Sequence, residues 1–196
     1  MAMNTKAWFE KCYVSITALS GAELALQTRT TNLNVSGGGF DLEGVETFGG
    51  KISKYTTRED MEISMDGIPV SHAEFDWINA GQTASTAFGV SGSTITSSTL
   101  GTKYRVTFLW TNQSGVTGAT QAITGSNEAR RRSFCDAYCT SLEETQDAGD
   151  MLTCTINFKL APEDDTGLQN WGIWAKDTTA GTLSALNAFT SSASKW

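Results

Sequence analysis

Apolar and polar residues alternate strictly from 152 to 160, with Leu152, Cys154, Ile156, Phe158 and Leu160 set against Thr153, Thr155, Asn157 and Lys159. A period of two places each set on one side of an extended chain, so the segment predicts a half-buried antiparallel strand. Tyr104, Val106, Phe108 and Trp110 repeat the pattern against Lys103, Arg105, Thr107 and Leu109, and Met61, Ile63 and Met65 repeat it against Glu62, Ser64 and Asp66. Two more strands are expected at 12–19, around Val14 and Ile16, and at 23–35, with Ser20-Gly21 as the turn between them. Segments 52–55 and 134–142 bring the expected count to six or seven strands.

Helical spacing occurs at 71–79, where Ser71 and Glu74 stand as in a capping box, and it predicts about two turns. The acidic run 143–150 separates two strand candidates and contains Gly149, so it reads as a hairpin tip rather than a calcium loop, whose spacing of acids it lacks. Three stretches have no clean period. These are a loop near 40–57, a Ser/Thr/Gly-rich loop near 80–102, and a C-terminal arm near 165–196 carrying Trp171, Trp174, Phe189 and Trp196. Aromatics in such a tail pack either on their own domain or on a partner. Nothing marks a boundary, and 1–196 is read as one domain.

The 196 residues are enough for one substantial core, and the 19 Gly against 2 Pro, with abundant Ser and Thr, suit short strands rather than a helical bundle. A net charge of −7 is not the footprint of a nucleic-acid binder. No export signal is visible before residue 10, and the longest uncharged run, 77–102, is too polar to fill a bilayer, which points to a cytoplasmic product without a membrane span. The cysteines, Cys12, Cys135, Cys139 and Cys154, show no zinc spacing and read as buried thiols. Cys135 and Cys139 should share a strand face, and Cys139 and Cys154 would lie nearly opposite each other in a hairpin of 131–142 with 151–160. His72 is the single histidine and has no nucleophile motif beside it, and Gly37, Gly38 and Gly39 precede no phosphate-binding Lys. The chain is read as a non-enzyme with no catalytic, cofactor or metal residues. Arg130, Arg131 and Arg132 form its basic cluster, suited either to a solvated strand end or to an acidic patch on a neighbouring subunit.

Residues 36–40 (SGGGF), 45–52 (VETFGGKI) and 59–69 (EDMEISMDGIP), with 130–162 (RRRSFCDAYCTSLEE, an acidic loop, then MLTCTINFKLAP), resemble the major tail tube protein of long-tailed viruses of bacteria or archaea, siphovirus-like. Together these pieces cover about a third of the chain. The resemblance implies an all-β, β-dominated fold, an antiparallel β-sandwich or barrel with one short flanking helix and extended loop and terminal arms. It also implies hexameric rings whose inner strands join as one barrel and whose stacking builds a tube for genome delivery. Its partners would be copies of itself, a terminator, a tape measure and baseplate or distal tail proteins. Double-stranded DNA would pass without specific binding, and the chain would be assembled in the host cytoplasm and end in the virion tail. On this reading Glu62, Ser64 and Asp66 face the lumen. Phe40, Phe48, Trp171, Trp174 and Trp196 make contacts between subunits or rings, through the loop at 40–57 and the chain ends, and a chain lacking 165–196 would fold but not polymerise. The alternatives are a tail terminator or adaptor ring, and a carbohydrate- or cell-surface-binding sandwich with Trp171, Trp174 and Tyr104 as stacking platforms.

Overall fold

The computed structural model describes residues 12–26, 29–47, 50–68, 102–146, 148–178 and 181–196, with the backbone alone for 29–31, 40–47, 50–57 and 142. The described residues form ten strands: β1 (Cys12–Ala18), β2 (Glu23–Leu26), β3 (Arg29–Gly37), β4 (Phe40–Thr47), β5 (Gly50–Arg58), β6 (Met61–Ile68), β7 (Lys103–Thr111), β8 (Ala129–Thr145), β9 (Thr153–Leu160) and β10 (Trp171–Lys176). Eight of them make one antiparallel sheet in the order β2-β1-β7-β8-β9-β6-β3, with β10 also paired to β8, while β4 and β5 pair with each other. The described residues are all-β, as the alternation predicts. The helix expected at 71–79 lies outside the described residues, as does His72.

The two end strands of this sheet are consecutive in sequence. Leu26 and Arg29 are three residues apart, a span of at most about 10 Å, so the sheet must curl until its ends approach. Its concave side is the core. Val14 and Ile16 of β1 and Tyr104, Val106 and Phe108 of β7 pack in one cluster with Met61, Ile63 and Met65 of β6 and Ile156, Phe158 and Leu160 of β9. Tyr104 meets Phe158 edge to face at 6.0 Å, and Phe108 meets Phe134 at 6.1 Å.

β8 changes partners along its length. Its first half lies between β7 and β10, and its second half pairs with β9. A bulge at the changeover sets the single residue Arg105 of β7 against Cys135 and Asp136, and Asp136 takes φ 53°, a left-handed conformation that a short polar side chain tolerates. The extra residue reverses the facing. Phe134, Ala137 and Cys139 point into the core, whereas the Cys135 thiol points outward to the Lys195 carbonyl at 3.4 Å. Cys135 and Cys139 therefore do not share a face as the plain period required. The β8–β9 hairpin forms as expected, but a second irregularity between Cys139 and Ser141 sets its register, with Cys139 opposite Phe158 and Cys154 opposite Glu144. The two thiols are not opposed, and none of the four cysteines is in a disulfide.

The convex side of β1, β7, β8 and β10 is covered by the loop 112–128 and by residues 181–196. Leu109, Val116, Ala119, Ile123, Ala129 and Leu183 form this second cluster, and Ile123 and Leu183 exchange two backbone bonds of 2.9 Å. The expected strand at 23–35 is two strands that belong to opposite ends of the sheet. The expected loop at 40–57 is the β4–β5 hairpin, and the tail holds β10.

Candidate functional site

Where β3, β6, β9 and β8 lie side by side, their convex side is a ladder of polar residues. Cross-strand register places Ser36, Glu62, Lys159 and Tyr138 in one row, Asn34, Ser64, Asn157 and Ser141 in the next, and Asn32, Asp66, Thr155 and Glu143 in a third. The rows are tied sideways: Thr155 donates its hydroxyl to Asp66 at 2.7 Å, and Asn157 donates its amide to Ser141 Oγ at 2.7 Å. Lys159 Nζ lies 3.5 Å from Glu62 and 3.6 Å from Asp60. Three carboxylates thus share the ladder with one ammonium. A shallow groove of about 360 Å3 runs between Asn34, Glu62, Ser141 and Lys159. Glu62, Ser64 and Asp66 are brought together here, Glu62 exposed and the other two half-buried.

The β4–β5 hairpin extends the ribbon formed by β3 and β6. Gly37 sits at the junction with φ +83°, and a Cβ there would fall 2.0 Å from the Asp60 carbonyl oxygen, so the position demands glycine. Glu59 N donates to Gly39 O at 2.9 Å, and Arg58 pairs with Glu163 at the base of the hairpin. Phe40 opens β4 with its backbone opposite Arg58, and Phe48 lies outside the described residues.

Residues 181–196 are a strap seated on the protein's own sheet. Arg131, buried at 1% exposure, donates Nε to Ala119 O at 2.9 Å, Nη1 to Ser184 O at 2.6 Å, and Nη2 to Gln121 O. Burial, with Arg105 nearby, brings its pKa down to about 10, partly offset by Glu23. Arg105 donates Nη1 to Asn187 O at 2.7 Å and to Lys195 O at 3.2 Å, and lies 5.7 Å from the centre of the Phe189 ring. Lys195 Nζ meets Asp164 at 2.5 Å. That ammonium, with the Thr166 hydroxyl, holds the Asp164 carboxyl well below the usual carboxylate range. Ser192 donates to Asp136 at 2.9 Å, and Lys103 lies 3.4 Å from the same carboxylate.

The tryptophans divide. Trp171 stands opposite Phe134 and packs against the core. Trp174 meets Trp196 edge to face at 5.0 Å beside a cleft of about 1010 Å3 between β10 and the strap. Tyr104 is buried at 4% exposure and Trp171 is half-buried against the same cluster, so the two do not form an open stacking platform with Trp174. The role of Arg105, Arg131 and Lys195 in holding the strap is not visible in the sequence pattern. Alternation puts Arg105 and Thr107 on a polar side but cannot show that this side is covered. The available signal was Leu183 and Phe189 in the tail, which need a surface to bury them.

No family model matches the sequence, and no curated protein matches it. Among solved structures, the chain is similar to a chain of the anti-feeding prophage baseplate, 6-fold symmetrised, at 9% identity, covering 89% of this chain and 97% of that one with a TM-score of 0.50. It also matches a chain of the sheath-tube complex of an extracellular contractile injection system, PVC, in the extended state, at 14% identity over 90% and 100% of the two chains, TM-score 0.46. The crystal structure of Hcp protein matches at 10% identity over 87% and 98%, TM-score 0.37. At such identities the likeness is one of fold, a β-rich fold to which this antiparallel sheet conforms.

Proposed function

We propose that the protein is a non-enzymatic structural subunit of a tail tube, which closes into hexameric rings and stacks them into a conduit for a genome in a virion tail. The observation that carries this reading is the polar ladder on a sheet whose end strands are open. Among the described strands, β2 pairs only with β1 and β3 only with β6, and open edges seek partner strands. Pairing between neighbouring copies would close a ring and leave the ladder of Glu62, Ser64, Asp66, Asn157 and Glu143 as a continuous wall. Its excess of carboxylates would repel phosphate, so that DNA passes without adhering. The fold likeness to a chain of a six-fold symmetrised baseplate supports a ring.

On this reading the β4–β5 hairpin, with Phe40 and Phe48, reaches a neighbouring subunit or ring, and the Trp174–Trp196 pair offers a second contact. Trp171, half-buried against the core, would offer only its exposed part to such a contact. Terminator, tape-measure and baseplate proteins would meet the ends and the interior of the tube. Sedimentation velocity across a range of concentrations tests the ring directly. A species of six chains, with larger multiples above it, is the expected result, and a single monomeric boundary at every concentration overturns the reading.

A further inference from the structure

The three consecutive arginines have separate roles. Arg131 is spent on the strap and the loop 112–128, as described above, but Arg130 and Arg132 point to the opposite side of β8, where period two places them together. Arg130 is exposed and Arg132 half-buried. Across the sheet they stand opposite Trp110 and Phe108 on β7 and Ala175 and Ile173 on β10, and Ile173 is 45% exposed. The Arg132 guanidinium lies 5.3 Å from the Phe134 ring centre, and its buried Nε has no hydrogen-bond partner. Among the described residues neither arginine enters an ion pair. Glu128, the acid just before them on the chain, is buried and forms no salt bridge with them. Burial and the neighbouring Arg130 both disfavour the charged form of Arg132. Two like charges side by side on a partly apolar surface form a site that an acidic group would relieve.

The other end of β8 has the complementary character. Glu143, Glu144 and Asp150 are exposed at the β8–β9 turn, and none of them enters an ion pair among the described residues. Gly149 at φ +94° makes the turn, and Met151, 69% exposed, adds an apolar group beside the acids. From Arg132 to Glu144 the strand runs roughly 40 Å at about 3.3 Å per residue. One strand therefore carries unpaired cations at one end of the molecule and unpaired anions at the other. Two different surfaces that fit each other generate open, head-to-tail stacks rather than closed pairs.

We propose that the acidic β8–β9 turn of one copy, with Glu144 and Asp150, seats on Arg130 and Arg132 of the next copy and joins successive rings head to tail. This contact rests on the tube reading and adds to it the residues that meet between rings. Light scattering of the purified chain against concentration, at low and high salt, tests it with three proteins: the unaltered chain, R130E/R132E, and E144K/D150K. The second pair of changes lies on an exposed turn away from the core, so it stays informative if reversal beside Phe134 disturbs folding. Each variant should need on the order of tenfold more protein to reach the same scattering, and salt should weaken association of the unaltered chain. An equal mixture of the two variants should recover association, because each presents the charges the other lacks. If the unaltered chain associates and the folded variants associate as well as it does, or if mixing recovers nothing, the contact is wrong while the tube reading stands. If the unaltered chain stays monomeric throughout, the tube reading fails and the contact with it.

Discussion

Arg131 shows how much of this fold depends on cations that have no acid to answer them. Its guanidinium meets three backbone carbonyls from two separate segments, and a fork of fixed N–H donors can satisfy all three at once. Replacing it with alanine leaves buried acceptors without partners, and R131A should lose about 3 kcal/mol in urea unfolding. R131K, which cannot span three carbonyls, should fall between the two. The triplet at 130–132 was legible as a basic cluster, but its division into one structural and two free arginines was not, because the sequence does not show which side of β8 is covered. The cysteine facing failed for a related reason. A bulge costs one residue of register and leaves no mark on the alternation except the misfit itself. Titration should show both ends of the pH range. The Cys12 and Cys135 thiols are pushed up to about 12 and Cys139 to about 11 by burial. The stability they contribute is therefore complete below about pH 9 and is lost as pH rises toward those values. Asp164 has the opposite sign. Its depressed pKa gives stability present above the ordinary carboxylate range and lost as pH falls through and below it. Urea midpoints should fall on both limbs, with D164N flattening the acid limb only.

At the scale of elements, the strap and the hairpin differ in what holds them. The strap is clamped by Arg105, Arg131 and Lys195 and anchored by Phe189, which is 1% exposed. Its removal opens the Leu109 cluster, strips Arg105 of its Asn187 and Lys195 carbonyl partners and Arg131 of that of Ser184. A chain ending at residue 180 should therefore unfold at clearly lower urea or fail to stay in solution, and an unchanged midpoint would show the strap to be dispensable. The simple expectation of an arm that can be cut away took weak periodicity for weak attachment. Residues 181–196 lack a period because side chains of the sheet reach their backbone carbonyls, a form of packing without sequence pattern. The hairpin depends instead on its junction. At Gly37 an added methyl meets the Asp60 carbonyl oxygen, and the left-handed φ adds its own strain, so G37A should cost about 2 kcal/mol or more and displace β4–β5 from the β3–β6 ribbon. Amide exchange across residues 40–58 would detect that displacement. Strands β6, β7 and β9 were fully legible from alternation, since one side of each meets the core. β4 and β10 were not, as neither alternates cleanly and β10 has only six residues.

For the whole molecule, the curled sheet closes on its own core and still leaves β2 and β3 each paired on one side among the described strands. A protein content to remain single would be expected to cover such edges. The all-β class was readable from the strand pattern. The curl followed from something subtler, the two-residue step between strands at opposite ends of the sheet. The polar ladder was readable only one strand at a time, as Glu62, Ser64 and Asp66, because register rather than sequence joins them to Asn34, Asn157 and Glu143. The open edges, the ladder and the charged ends of β8 together make the case for a subunit of a stacked tube. Electron microscopy of the purified full-length chain at high concentration and low salt tests that claim most directly. Six-membered rings stacked into tubes with an open central channel are the predicted result. Particles that remain single compact domains at every concentration, or that pair into closed dimers, would contradict it.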